Sequence, residues 1–112
     1  MGEYEIHRDM LSCGIACYDE DPEMYELAAG ALYSRFVASR KMFNAAGSHP
    51  NGSSYGLFRL GCELYADLLF TRMGYPAIYG KEIESVMMRY IYARRPDGLF
   101  LKDGDDSAYS LR

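Results

Sequence analysis

A chain of 112 residues, 49% apolar and 25% charged, fits one soluble globular domain, or a piece of a larger one, with room for a single modest core. Its net charge of −4 and pI near 5.1 argue against a general nucleic-acid binder or a binder of anionic membranes, yet leave room for a local basic cleft facing an acidic ligand. No stretch approaches the ~18–20 apolar residues of a membrane span, and the N-terminal segment lacks the basic start and apolar run of a signal peptide.

The elements read as helix after helix, predicting an all-α fold of about two αα-hairpins. Periodicity places helices near 5–18, 22–44, 54–73 and 81–94. The first sets Ile6, Met10, Cys13, Ala16 and Cys17 at three- and four-residue steps. "DEDP" (19–22) ends it and starts the second: Asp21 suits an N-cap, Pro22 the first helical position, and Glu23 the positive end of the helix dipole. Met24, Leu27, Ala28, Leu32, Phe36 and Phe43 form the inward stripe of the second helix, with Gly47 just past its end. The third carries Leu57, Leu60, Gly61, Leu64 and Leu68 and stops at Gly74. Gly61 costs about 1 kcal/mol of helix propensity relative to alanine, so a neighbouring helix is expected to pack closely there. The fourth turns Ile83, Val86, Met87 and Tyr90 inward. "RPDG" (95–98) is a turn, "LFLK" (99–102) a short strand, and 103–112 a flexible tail.

Cysteine usage is simple. Cys13, Cys17 and Cys62 contain no CxxC pair, and two cysteines four apart on one helical face have poor disulfide geometry. All three read as reduced, mostly buried thiols, with no metal site and no cofactor. "DGDD" (103–106) lacks the full ligand pattern of a calcium loop and reads as a solvated acidic turn.

The chemistry concentrates in the loop 45–54 and the helix entrance after it. His49, Asn51, two glycines, serine hydroxyls and a helix N-terminus can together meet an anion. Tyr55, Arg59 and Glu63 follow at i, i+4 and i+8. Spacing alone equally allows an ordinary Arg59–Glu63 helical pair with Tyr55 as an anchor, and a loop histidine held by backbone hydrogen bonds. A second cluster, Tyr90, Tyr92, Arg94 and Arg95, closes the fourth helix. Eleven tyrosines against five phenylalanines and no tryptophan suit sugar platforms and proton transfer, or simply a tyrosine-rich core rim.

"AAGSHPNGSSYGLFRLGCELYADLLFTRMGY" followed by "MMRYIYARRPDGLFLKDGDD" resembles the helical catalytic domain of the heparinase II/III-like polysaccharide lyases. "IACYDEDPEMYELAAGALYSRFVASRKMF" is similar to the helical hairpin preceding that loop in the family. The likeness runs from about residue 9 to 106. It implies part of an incomplete α/α toroid, and β-elimination on a uronic-acid polysaccharide or oligosaccharide. That reaction needs neutralisation of the uronate carboxylate, a base for the C5 proton and an acid for the leaving oxygen. By resemblance His49 matches the family's loop histidine. Tyr92 or Tyr90 is the candidate proton-transfer tyrosine, with Tyr55 the runner-up. Asn51, Arg59, Tyr90, Arg94 and Arg95 are the substrate-binding candidates. With only about two hairpins and no β-rich region, the chain reads as a fragment of such an enzyme, inactive by itself and self-associating as a homo-oligomer. Its compartment is cytoplasmic if the chain is complete, periplasmic or secreted if it belongs to a longer lyase. The alternative is a non-catalytic helical module that binds saccharide or protein.

Overall fold

The computed structural model describes residues 3–103. Among them the fold is all-helical, without a named strand: α1 (Glu3–Ala16), α2 (Pro22–Ala31), a π-helical turn (Leu32–Val37), α3 (Ala38–Ala45), α4 (Gly52–Arg72) and α5 (Glu82–Tyr92). The stretch α2–π–α3 runs without a break, so the four predicted helices are present, the second carrying a π-helical turn that periodicity did not reveal. Predicted tail residues 104–112, and most of "DGDD", lie outside the described residues.

The helix ends follow the punctuation of the sequence. Gly47 (φ 63°) and Gly74 (φ 92°) adopt the left-handed conformation that costs a glycine little. At the end of α3 the Gly47 N–H donates to the Asn44 carbonyl and the Ser48 N–H to that of Phe43. At the end of α4 the Gly74 N–H donates to Thr71 and the Tyr75 N–H to Phe70. Both are Schellman closures, which satisfy carbonyls the helix itself leaves open. Asp21 occupies the N-cap of α2 with Pro22 behind it, but its side chain makes no capping bond. The segment 99–102 is not a strand. It contributes a single antiparallel bridge, Arg94 to Phe100, closed by Arg95 N–H to the Leu99 carbonyl and Leu101 N–H to that of Ala93.

The described chain divides into two compact units, 3–40 with 61–78, and 41–60 with 79–103. In the first, α1 and α2 pack as a hairpin across the turn 17–21. Leu11, Ala28, Leu32, Cys62, Ala66, Phe70 and Ile78 are its buried apolar residues. The buried positions of α1 are Leu11 and Gly14, while Ile6, Met10, Cys13 and Cys17 are exposed. The expected stripe was therefore out of phase, and two of the three thiols face outward. Gly14 is the reason: a Cβ there would come within 2.7 Å of the Tyr25 backbone, so α1 turns its smallest residue toward α2. Gly61, expected to admit a neighbour, is exposed with nothing within 4 Å of its Cβ position. Leu27 and Leu68 are likewise exposed instead of inward.

The second unit buries Leu60, Tyr79, Val86 and Tyr90. Met87 is exposed, contrary to the inward stripe read for this helix. No helix among the described residues is long and apolar enough to cross a membrane.

Candidate functional site

The loop entering α4 belongs wholly to the second unit. The Gly47 closure leads to a tight turn, in which the Gly52 N–H donates to the His49 carbonyl at 3.2 Å and Pro50 presets the backbone of the first central position. The turn buries the His49 side chain, leaving His49 3% exposed. The Asn51 N–H donates to His49 Nδ1 at 3.3 Å.

Tyr90, on α5, reaches the same place. It is 6% exposed, and its hydroxyl donates to the Gly52 carbonyl at 3.4 Å. The two side chains meet over Gly56. A Cβ on that residue would lie 2.5 Å from the Tyr90 oxygen and 2.9 Å from His49 Nδ1. Only glycine on this turn of α4 lets the imidazole and the phenol share the space. The close-packing argument applied to Gly61 from sequence belongs to Gly56. Both are helix-interior glycines, and only tertiary contact tells them apart.

The other predicted residues scatter around this pair. Asn51 is half-buried, and its Oδ1 has no hydrogen-bond partner among the described residues. Tyr55 is exposed, with the Arg59 guanidinium 5.4 Å from its ring centroid. Arg59 therefore lies over Tyr55, and Glu63 pairs with Arg40. Tyr92 is 77% exposed and does not share the burial of Tyr90, two residues earlier. Arg94 is exposed, and Arg95 pairs with Asp97 at 2.6 Å.

Tyr92 instead lines an open groove of about 520 Å³ with Ser53, Arg89, Leu101, Lys102 and Asp103. Ser53 donates its hydroxyl to the Leu101 carbonyl and to Asp103, and Arg89 pairs with Asp103. Arg89 and Lys102 give the groove cations that were not picked out from sequence. No motif marks them, because the chain reversal at 95–98 is what brings 101–103 back beside α5.

The first unit holds a different polar cluster. Arg40 Nε lies 2.8 Å from Glu63 Oε1, both side chains under a tenth exposed, and the Arg40 guanidinium sits 4.5 Å above the Tyr4 ring. Beside them an enclosed cavity of about 20 Å³ is lined by His7, Arg8, Cys62, Glu63 and the π-turn residues Leu32 and Phe36. Burial pushes His7 below its ordinary pKa, against opposing contributions from the Ala28 backbone and Glu3. Burial also pushes the Cys62 thiol up, although an Arg8 N–H points at its sulfur from 3.6 Å. Cys62 is therefore a protonated, unreactive thiol at neutral pH. Among the described residues no three His, Cys, Asp or Glu side chains are grouped to hold a metal ion.

Neither family models nor curated proteins give a match to this sequence.

Proposed function

We propose that the second unit carries part of a binding and proton-transfer site for a uronic-acid-containing polysaccharide, of the kind used in β-elimination. The observation that supports this most is the convergence of His49 and Tyr90 over Gly56, with the imidazole oriented by the Asn51 N–H. An imidazole is suited to hydrogen-bond a uronate carboxylate and so to raise the acidity of the C5 proton. A neighbouring phenol is suited to move that proton. The geometry favours Tyr90 over Tyr92 for this role. Tyr92, Arg89 and Lys102 line the open groove, and an aromatic ring beside cations is suited to an acidic polymer. Residues 3–103 supply one wall of such a site, and preorganised catalysis needs the facing wall. Loss of one well-placed donor already slows a reaction ~10²–10³-fold, so efficient turnover is expected only from the protein in its natural reading frame.

The test follows product absorbance, because elimination leaves an unsaturated uronide that absorbs in the ultraviolet. In the natural reading frame His49→Ala is expected to abolish that product while circular dichroism stays unchanged. Normal turnover by His49→Ala on every polymer the wild type cleaves would overturn the reading.

One observation favours a second, non-catalytic reading as an interaction module. Met87, Met88, Ile91 and Tyr92 lie at helical spacing on α5 and are 44–77% exposed, an apolar strip suited to a second copy of the chain. Sedimentation across micromolar concentrations is then expected to show a dimer or larger species, and a clean monomer would count against it.

A further inference from the structure

We propose that the tyrosine-lined groove of the first unit is a binding site for a small organic cation of the quaternary-ammonium class. The groove, about 390 Å³, is lined by Ile15, Tyr18, Tyr25, Met73 and Tyr75. It lies entirely within the first unit and is independent of the His49–Tyr90 site.

The walls are held from behind. Phe70, 2% exposed, packs its ring 6.5 Å from Tyr25 and 5.9 Å from Tyr75, the latter edge-to-face at 76°. Tyr18 stands nearly perpendicular to Tyr25, at 5.4 Å and 84°. The backbone fixes each wall as well. Tyr75 is the residue after the Gly74 closure, and its N–H is tied to Phe70. Tyr25 rests its backbone on Gly14. Tyr18 lies in the turn where the Glu20 and Asp21 N–H groups both donate to the Cys17 carbonyl. Yet Tyr18 is 49% and Tyr75 52% exposed, so both rings remain open to a ligand.

Charge decides what that ligand is. Ile15 is in the last turn of α1 and Met73 follows the last residue of α4, so two helix C-termini bring partial negative charge to this end of the unit, and the helix N-terminus here, that of α2 before Tyr25, is faced by Asp21 and Glu23. Asp19, Glu20, Asp21, Glu23 and Glu26 flank the Tyr18 and Tyr25 walls, and positions 9–34 contain no Lys, Arg or His. Arg72, exposed in the last turn of α4, is the nearest cation in sequence to Met73. An anionic sugar would meet this field unfavourably. A cation gains from it and from the negative faces of the rings. The lining offers aromatic faces, a thioether and an aliphatic side chain, with the carboxylates out in solvent. That suits a trimethylammonium group, which is weakly hydrated and has no N–H to satisfy, better than a primary amine.

The test is an NMR titration of the tyrosine ring signals at constant ionic strength, with choline chloride and with its neutral isostere 3,3-dimethyl-1-butanol. Choline is expected to shift the Tyr18, Tyr25 and Tyr75 rings saturably, with a Kd of about 1–10 mM. The isostere is expected to bind at least about fivefold more weakly. Tyr75→Leu should weaken choline about fivefold while Tyr75→Phe retains it, both with unchanged circular dichroism. Equal affinity for choline and the isostere would overturn the proposal, as would an absence of saturable shifts. So would stronger shifts of the same rings by methyl glucuronoside, which would make the groove a saccharide platform.

Discussion

The two units bury polar side chains in opposite ways. In the first, Arg40 and Glu63 are paired at 2.8 Å out of solvent, with the Tyr4 ring against the guanidinium, beside a buried His7 Nε2 without a hydrogen-bond partner among the described residues. In the second, the buried polar side chains include no carboxylate or guanidinium. His49 and Tyr90 meet over a glycine, and Asn44 is fully buried with neither its Nδ2 nor its Oδ1 partnered among the described residues. Breaking a buried ion pair by removing one partner is strongly destabilising, because the other charge is left uncompensated. A buried amide left without partners, as at Asn44, lowers stability.

The largest expected effect breaks the first side of that contrast. Glu63→Ala leaves the Arg40 charge buried without its carboxylate, and urea denaturation should show a loss of about 3–5 kcal/mol. A loss below about 1 kcal/mol would mean that Arg40 escapes to solvent and the pair is not architectural. Gly56→Ala probes the second side. Its methyl group would press on both the Tyr90 oxygen and His49 Nδ1, and a loss of about 1–3 kcal/mol is expected, despite alanine's better helix propensity. Asn44→Leu should act in the opposite direction. Removing an unsatisfied buried amide at similar volume should stabilise the protein by about 1–3 kcal/mol, read as a raised denaturation midpoint. A destabilised Asn44→Leu would show that the amide is partnered in solution.

The smallest effect is a pH dependence. His7 titrates below its ordinary value of 6.5 in the folded chain because burial disfavours its charge. On acidification the unfolded chain therefore takes up this proton first. The His7 contribution to stability is complete above about pH 6.5 and is lost as pH falls from there through the lower folded-state pKa. Thermal unfolding between pH 7.5 and 5.5 should show a larger acid loss for wild type than for His7→Gln, and equal losses would remove His7 from the account.

Much of the fold was legible because helix ends are written locally. Gly47, Gly74 and the Asp21–Pro22 pair each act within one turn, and each marks an end where expected. The inward faces were less legible. In α1 the small Gly14, not the apolar residues at helical spacing, sets the face that meets α2, and a hydrophobic stripe does not encode that. The π turn at Leu32–Val37 shifts the phase of the helix midway, which 3.6-residue periodicity cannot anticipate. Of the site, the loop and its histidine could be picked out by residue type. Which tyrosine accompanies His49 could not, since Tyr90 and Tyr92 differ only in the side of α5 they occupy. The i, i+4 spacing points Glu63 toward Arg59, while its buried pairing with Arg40, 23 positions earlier, has no local signal.

The most direct test compares the two tyrosines in the natural reading frame, assayed by ultraviolet absorbance of unsaturated uronide on uronic-acid polymers. Tyr90→Phe removes the hydroxyl over Gly56 while keeping the buried ring. It should reduce turnover by about 10²–10⁴-fold with the helical signal intact, the range of a lost proton-transfer group. Tyr92→Phe should leave the rate near wild type, with its effect confined to KM. A fully active Tyr90→Phe beside an inactive Tyr92→Phe would contradict this account, and so would a wild-type protein that forms no unsaturated product from any such polymer.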